Sequence, residues 1–171
     1  MITAAIDPGK HGAVAIDNGG ITFYDCPQDE FDLLHLLSCK EVDHVVLENV
    51  GGARQGNGLV SAVTFAKHCQ LLRSTLTVAR IPFTLIAPSV WIPAFLGADK
   101  PQFPVTPQEY QRLDIKGRNK VDAKYKAIRK KKILQKVLDK TGLVGVRLAH
   151  ADAIGLLLYF KEKRDGCETG F

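Results

Sequence analysis

Residues 2–16 read ITAAIDPGKHGAVAI, and this stretch decides the fold. Two apolar runs, 2–6 and 12–16, have the length and composition of strands, with Asp7-Pro8-Gly9-Lys10-His11-Gly12 between them. Asp17-Asn18-Gly19-Gly20 then reads as a tight hairpin turn into a third strand at 21–24. The chain therefore opens with three antiparallel strands. The first ends in a carboxylate where a strand feeding a core is expected to stay apolar, so Asp7 is either a turn former or a residue held for chemistry.

Further along, period and punctuation predict a helix over 31–37, a buried strand over 44–48, a helix from Leu59 to about Arg80 and a fifth strand over 82–86. Ser89 is expected to cap a short helix that ends near Gly97, with 98–105 as loop. Thr106-Pro107-Gln108-Glu109 has the form of a capping box with proline at the first helical position. A long helix is expected from about Lys120 to Lys140, stopping at Thr141-Gly142. A last, mostly apolar helix is expected over 150–160, and 161–171 is expected to fray.

With 171 residues, 46% of them hydrophobic, one domain spanning 1–171 is expected. No apolar run has the length of a membrane span, and the start is unlike a signal peptide, so a cytoplasmic protein with no membrane partner is expected. Cys26, Cys39, Cys69 and Cys167 form no Cys-x-x-Cys pair and read as free thiols in a reducing compartment. Trp91, in an apolar helix, reads as core.

Charge is unevenly spread. The net is +5, but Arg112 to Lys140 holds 12 basic residues against Asp114, Asp122 and Asp139, a local +9 that leaves the remainder at −4. A concentrated basic segment on an acidic body suits a phosphate backbone, because each neutralised phosphate releases condensed counterions. A solvated helix face is the plainer reading. Lys124, Arg129, Lys131 and Lys132 are candidate DNA contacts, with Lys116, Arg118 and Lys120 as a mobile basic approach. Lys10 stands beside the first carboxylate, and Arg54, in the glycine-rich loop over 51–58, is placed to pair with phosphate.

Three acidic residues are embedded in apolar sequence: Asp7 ending the first strand, Glu48 ending the fourth, and Asp152 in the first turn of the last helix. Were the first and fourth strands parallel neighbours, Asp7 and Glu48 would lie at one sheet edge. Carboxylates held close repel unless a hard cation such as Mg²⁺ or Mn²⁺ sits between them. Two such ions, about 3.5–4 Å apart, activate water and stabilise a leaving oxygen in phosphodiester hydrolysis. Each residue also has a purely structural reading as turn former, solvent-facing strand end or helix N-terminal charge.

Taken in order, AAIDPGKHGAVAI, HVVLENV, IAPSVWIPAFLG and the lysine-rich helix leading into HADAIGLLLYF resemble the RuvC-like Holliday-junction resolvases of the RNase H-like superfamily, phage-type members above all. The resemblance covers about residues 1–160. It implies an α/β, RNase H-like three-layer fold with a five-stranded mixed sheet flanked by helices. It also implies a homodimer and Mg²⁺- or Mn²⁺-dependent paired nicks in a four-way DNA junction, with Asp7, Glu48 and Asp152 as catalytic metal ligands. The family's fourth acidic position falls on Ala149, leaving His150 as a candidate ligand or base provided the helix starts after it. The helix from Leu59 is the dimer surface the family implies. Alternatives are another RNase H-like nuclease acting on branched DNA or RNA–DNA hybrids, or a junction-binding protein without catalysis. An ATPase of the actin and sugar-kinase type would need a second lobe.

Overall fold

The computed structural model describes residues 1–50 and 59–168. Five strands, β1 (Thr3–Asp7), β2 (Ala13–Asp17), β3 (Ile21–Asp25), β4 (His44–Glu48) and β5 (Phe83–Ile86), form one sheet in the order β3-β2-β1-β4-β5. β1, β2 and β3 pair antiparallel, as the hairpin signal requires. β1–β4 and β4–β5 are parallel, so the sheet is mixed.

The alternation of side chains sorts the strands' residues into two cores. Ala4, Ile6, Val14, Ile16, Val45 and Leu47 pack with Leu33 and Leu37 of α1 (Glu30–Cys39) and Leu72 and Leu76 of α2 (Leu59–Val78). Ala5, Ala13, Ala15 and Val46 face the other way, toward α3 (Pro88–Leu96) and two later helices. α4 (Pro107–Arg112) carries the expected capping box, with Thr106 and Glu109 bonded reciprocally. It is followed by α5 (Ile115–Thr141) and α6 (Leu148–Glu168). The result is an α/β sandwich of three layers, helices on both faces of a five-stranded mixed sheet.

Small residues bring α6 close to the sheet: Ala151 and Ala153 on the helix meet a face lined by Ala5, Ala13 and Ala15. Gly155 serves the same end against α3 and α5. A Cβ there would stand 3.1 Å from the Trp91 ring and 3.2 Å from Ile133. The Trp91 side chain is fully buried, as its apolar surroundings predict.

Several boundaries differ from expectation, among them the start of α6, at Leu148 rather than 150. α3 begins at Pro88 with Ala87 at its cap, so Ser89 is inside the helix rather than capping it. α5 starts five residues before Lys120, because the Asp114 carboxylate accepts from the Gly117 N–H at 2.7 Å and caps the helix. Lys116, Arg118 and Lys120 are therefore helical rather than a mobile approach. At the far end Gly142 takes the left-handed conformation, φ 64°, as the Thr-Gly stop implies. The expected frayed tail is helical to Glu168, since Lys161 is paired with Asp17, and Glu162 with Lys140 at 2.6 Å.

Candidate active site

Asp7 and Glu48 arrive at one place by strand register. Ile6 pairs with Leu47 across the parallel β1–β4 ladder, so the next residue on each strand, Asp7 and Glu48, stands at the same sheet edge. Alternation places Asp7 on the face of Ala5, and Glu48 on the face of Val46, the face that α6 covers. Asp152 comes down from the second turn of α6. These three carboxylates line a single cavity of about 510 Å³.

The turn after Asp7 needs its glycines. Gly12 crosses the end of β1 so closely that a Cβ would lie 2.0 Å from the Asp7 carbonyl oxygen. Gly9 has φ 121°, a conformation that L side chains rarely adopt, and the Gly12 N–H donates to its carbonyl at 2.9 Å. Pro8 and Gly9 thus turn the chain while Asp7 stays on the strand.

The site's electrostatics are those of confined like charge. Burial, then Glu48 and Asp152, push the Asp7 carboxyl well above its ordinary 3.8, against the pull of Lys130. Burial likewise raises Glu48 above its ordinary 4.5, although the Trp91 indole opposes the shift by donating Nε1–H to Oε1 at 2.8 Å. Asp152 Oδ2 is held by the Lys130 ammonium at 2.7 Å, while its buried Oδ1 has no hydrogen-bond partner. For Lys130 itself burial lowers the pKa, but Asp152, Asp7 and Glu48 together outweigh burial and raise it.

As they stand, no three His, Cys, Asp or Glu side chains among the described residues are gathered to hold a metal ion; a lysine supplies the nearest positive charge. The donor set nevertheless fits a hard divalent cation: three carboxylates from three elements, two raised by burial and then by their like-charged neighbours, and one buried oxygen without a hydrogen-bond partner.

The cavity also has a basic lining. Lys126, Arg129 and Lys130 of α5 line the cavity. Their stripe continues into Ile133 and Val137, which are buried. One face of α5 is therefore apolar where it packs on α6 and α3 and cationic where it passes the carboxylates. Lys116, Arg118, Lys120, Lys124, Lys131 and Lys132 lie on other faces, exposed, and Lys10 is exposed beside the turn. Arg54 lies outside the described residues.

His150 is corrected. α6 has already begun at Leu148, and two residues of helix turn a side chain about 200° from Asp152. The buried ring lies tilted at 41° against Phe23, its centroid 4.7 Å away, with Nε2 3.2 Å from Asp25 and 2.8 Å from Arg147. It does not line the cavity.

Lys130 and Trp91 touch the carboxylates, at Asp152 and Glu48, and are contacts that the sequence reading missed. The signal for Lys130 was its place three and seven residues before Ile133 and Val137 on one helical face. Nothing local in the sequence marks the indole of Trp91 as a partner of Glu48.

No protein-family model matches the chain, and no curated protein matches it. Among solved structures it is similar to Thermus thermophilus RuvC in complex with Holliday junction substrate, with a TM-score of 0.58 and 15% identity over 97% of each chain. A second structure of Thermus thermophilus RuvC aligns with a TM-score of 0.54 and 16% identity, again over 97% of each. The shared property at that identity is the fold, which is that of RuvC.

Proposed function

We propose that this protein is a divalent-metal-dependent, structure-selective endodeoxyribonuclease that resolves four-way DNA junctions by paired nicks, working as a cytoplasmic homodimer. The observation that carries the reading is that Asp7, Glu48 and Asp152 share the lining of one cavity with Lys126, Arg129 and Lys130. An acidic wall alone suits many ions, and a basic wall alone suits any polyanion. Together they suit a phosphodiester delivered to a metal.

Asp7, Glu48 and Asp152 would hold Mg²⁺ or Mn²⁺, which when bound favours attack of water at phosphorus and offsets charge on the departing oxygen. The chain's own part is to place the strand. Lys126 and Arg129 face the cavity and take the phosphates nearest the cut, and Lys124, Lys131, Lys132, Lys116, Arg118 and Lys120 extend positive charge along α5 for the flanking backbone. Lys10 and Arg54 belong to the same reading from the turn and the loop. Val60 and Val63 are exposed on α2, which supports that helix as the surface for a second copy.

The test is incubation of the pure protein with four-way, three-way, flap and linear DNA and with an RNA–DNA hybrid, with and without Mg²⁺ or Mn²⁺. Symmetric paired nicks confined to the four-way junction are expected. Cutting of the hybrid in preference to the junction, or junction binding with no metal-dependent cutting, overturns the reading in favour of another nuclease or a binding protein.

A further inference from the structure

The Asp7-Pro8-Gly9 turn is fastened to α2 at one point. The Gly9 N–H donates to His68 Nδ1 at 3.0 Å, and His68 Nε2 lies 2.8 Å from the Pro27 carbonyl oxygen. A backbone N–H can only donate, so Nδ1 is the bare nitrogen, and the ring's one proton lies on Nε2, directed at the carbonyl. The ring is buried, and both nitrogens are satisfied in this tautomer alone. One helical turn earlier Phe65 covers Gly9, its ring 3.3 Å from where a Cβ would stand.

On its other side the Gly9 carbonyl accepts from the Gly12 N–H at 2.9 Å and from Gln28 Nε2 at 3.4 Å. Gly9 is thus held at its carbonyl by its own strand pair and at its amide by a different layer of the protein. Between it and Asp7 stands only buried Pro8, whose ring fixes φ. Few soft torsions remain, so a shift of Gly9 is passed to Asp7.

We propose that His68 is a positioning residue for Asp7, acting through the Gly9 amide in its Nε2-protonated tautomer and coupling the seating of α2 to the metal-binding wall. This rests on the reading of Asp7 as an ion ligand. His68 touches neither ion nor DNA; it sets the angle at which β1 delivers its carboxylate. The outer partners of metal ligands act in this way in many sites.

Three variants separate the role from mere packing. His68→Asn keeps an acceptor at the Nδ1 position, His68→Gln keeps a donor at the Nε2 position, and His68→Ala keeps neither. The readouts are imidazole ¹⁵N shifts, hydrogen exchange of the Gly9 amide, Mn²⁺ affinity by calorimetry, and junction cutting. The wild-type ring is expected to show the Nε2-protonated signature. His68→Ala should speed Gly9 exchange and weaken Mn²⁺ binding ~10-fold; Asn should restore most of both, and Gln should not. If Ala does not fold, the Asn and Gln pair decides alone.

Equal behaviour of Asn and Gln, or unchanged Mn²⁺ affinity in His68→Ala, overturns the proposal. Asp7→Asn run alongside separates the two claims. If that variant binds Mn²⁺ as the wild type does, or the wild type binds none, the reading of Asp7 fails and the His68 proposal with it. If Asp7→Asn loses binding while every His68 variant keeps it, only His68 is misassigned.

Discussion

The two walls of the cavity are built by different rules. Asp7 and Glu48 end neighbouring parallel strands, where register and a buried sheet fix each carboxylate to within one position. The basic residues of α5 are set by helix rotation, and most of them stand in solvent. The acidic wall is therefore specified residue by residue, whereas much of the basic side works as a field in which one lysine stands in for another. Substitution should expose this contrast: large, particular losses on the sheet and small, interchangeable ones on the helix.

The largest effect is expected from Asp7→Asn or Glu48→Gln. Either change removes a charged donor and should slow metal-dependent junction cutting by about 10³-fold or more. Metal-free Asp7→Asn should at the same time melt higher, by on the order of 1 kcal/mol, because a repelling buried carboxylate is gone. Retained cutting by both variants would break the acidic half of the comparison.

Next comes the indole that holds Glu48. Trp91→Phe preserves most of the volume but leaves Oε1 without its 2.8 Å donor, and activity should fall ~10–100-fold. The pH dependence of stability gives a subtler reading of the same wall. Asp7 and Glu48 have raised pKa values when folded, so the native state holds their protons to higher pH than the unfolded chain does. Stability of the metal-free protein from these groups is therefore fullest near and below the ordinary 3.8 and 4.5, and declines as pH rises through the raised folded values. Subtracting the melting profile of Asp7→Asn from that of wild type isolates this slope. A flat difference would break the account of the wall as confined like charge.

The smallest individual effects belong to α5. Lys124→Gln, Lys131→Gln and Lys132→Gln should each weaken DNA binding uniformly across sequences and lower the salt slope by about 1. Their losses should be similar and nearly additive, measured by titration at several salt concentrations. One of the three dominating would sharpen the comparison, assigning a fixed phosphate contact to the helix as well.

What the sequence made legible follows the same division. Strand ends and the lone carboxylates Asp7 and Glu48 that close them follow from short-period alternation, which is a local signal; the parallel placement of β1 beside β4 joins residues 41 positions apart, and the grouping with Asp152 rests on the resemblance. α5 was legible as a basic helix but not in its facing. Lys130 was passed over because a run of lysines conceals which one shares a stripe with Ile133 and Val137. Its first five residues were missed because the Asp114 cap was not weighed against the glycine at 117. His150 is a candidate only for a helix that starts after it; α6 starts at Leu148, and where a helix begins to within two residues is not encoded by its apolar pattern. The bonds of Trp91 and His68 join residues 43 and 59 positions apart, and no local pattern encodes them.

Gly155 gives the core a say in the chemistry. Its missing side chain lets Trp91 lie against α6, and the same indole grips Glu48. A methyl group added there would register in a melting curve as crowding against Trp91 and Ile133 and in a cleavage assay as a poorly held Glu48. Genetic screens that score only catalysis would class such an allele with the carboxylates, though it alters no charge.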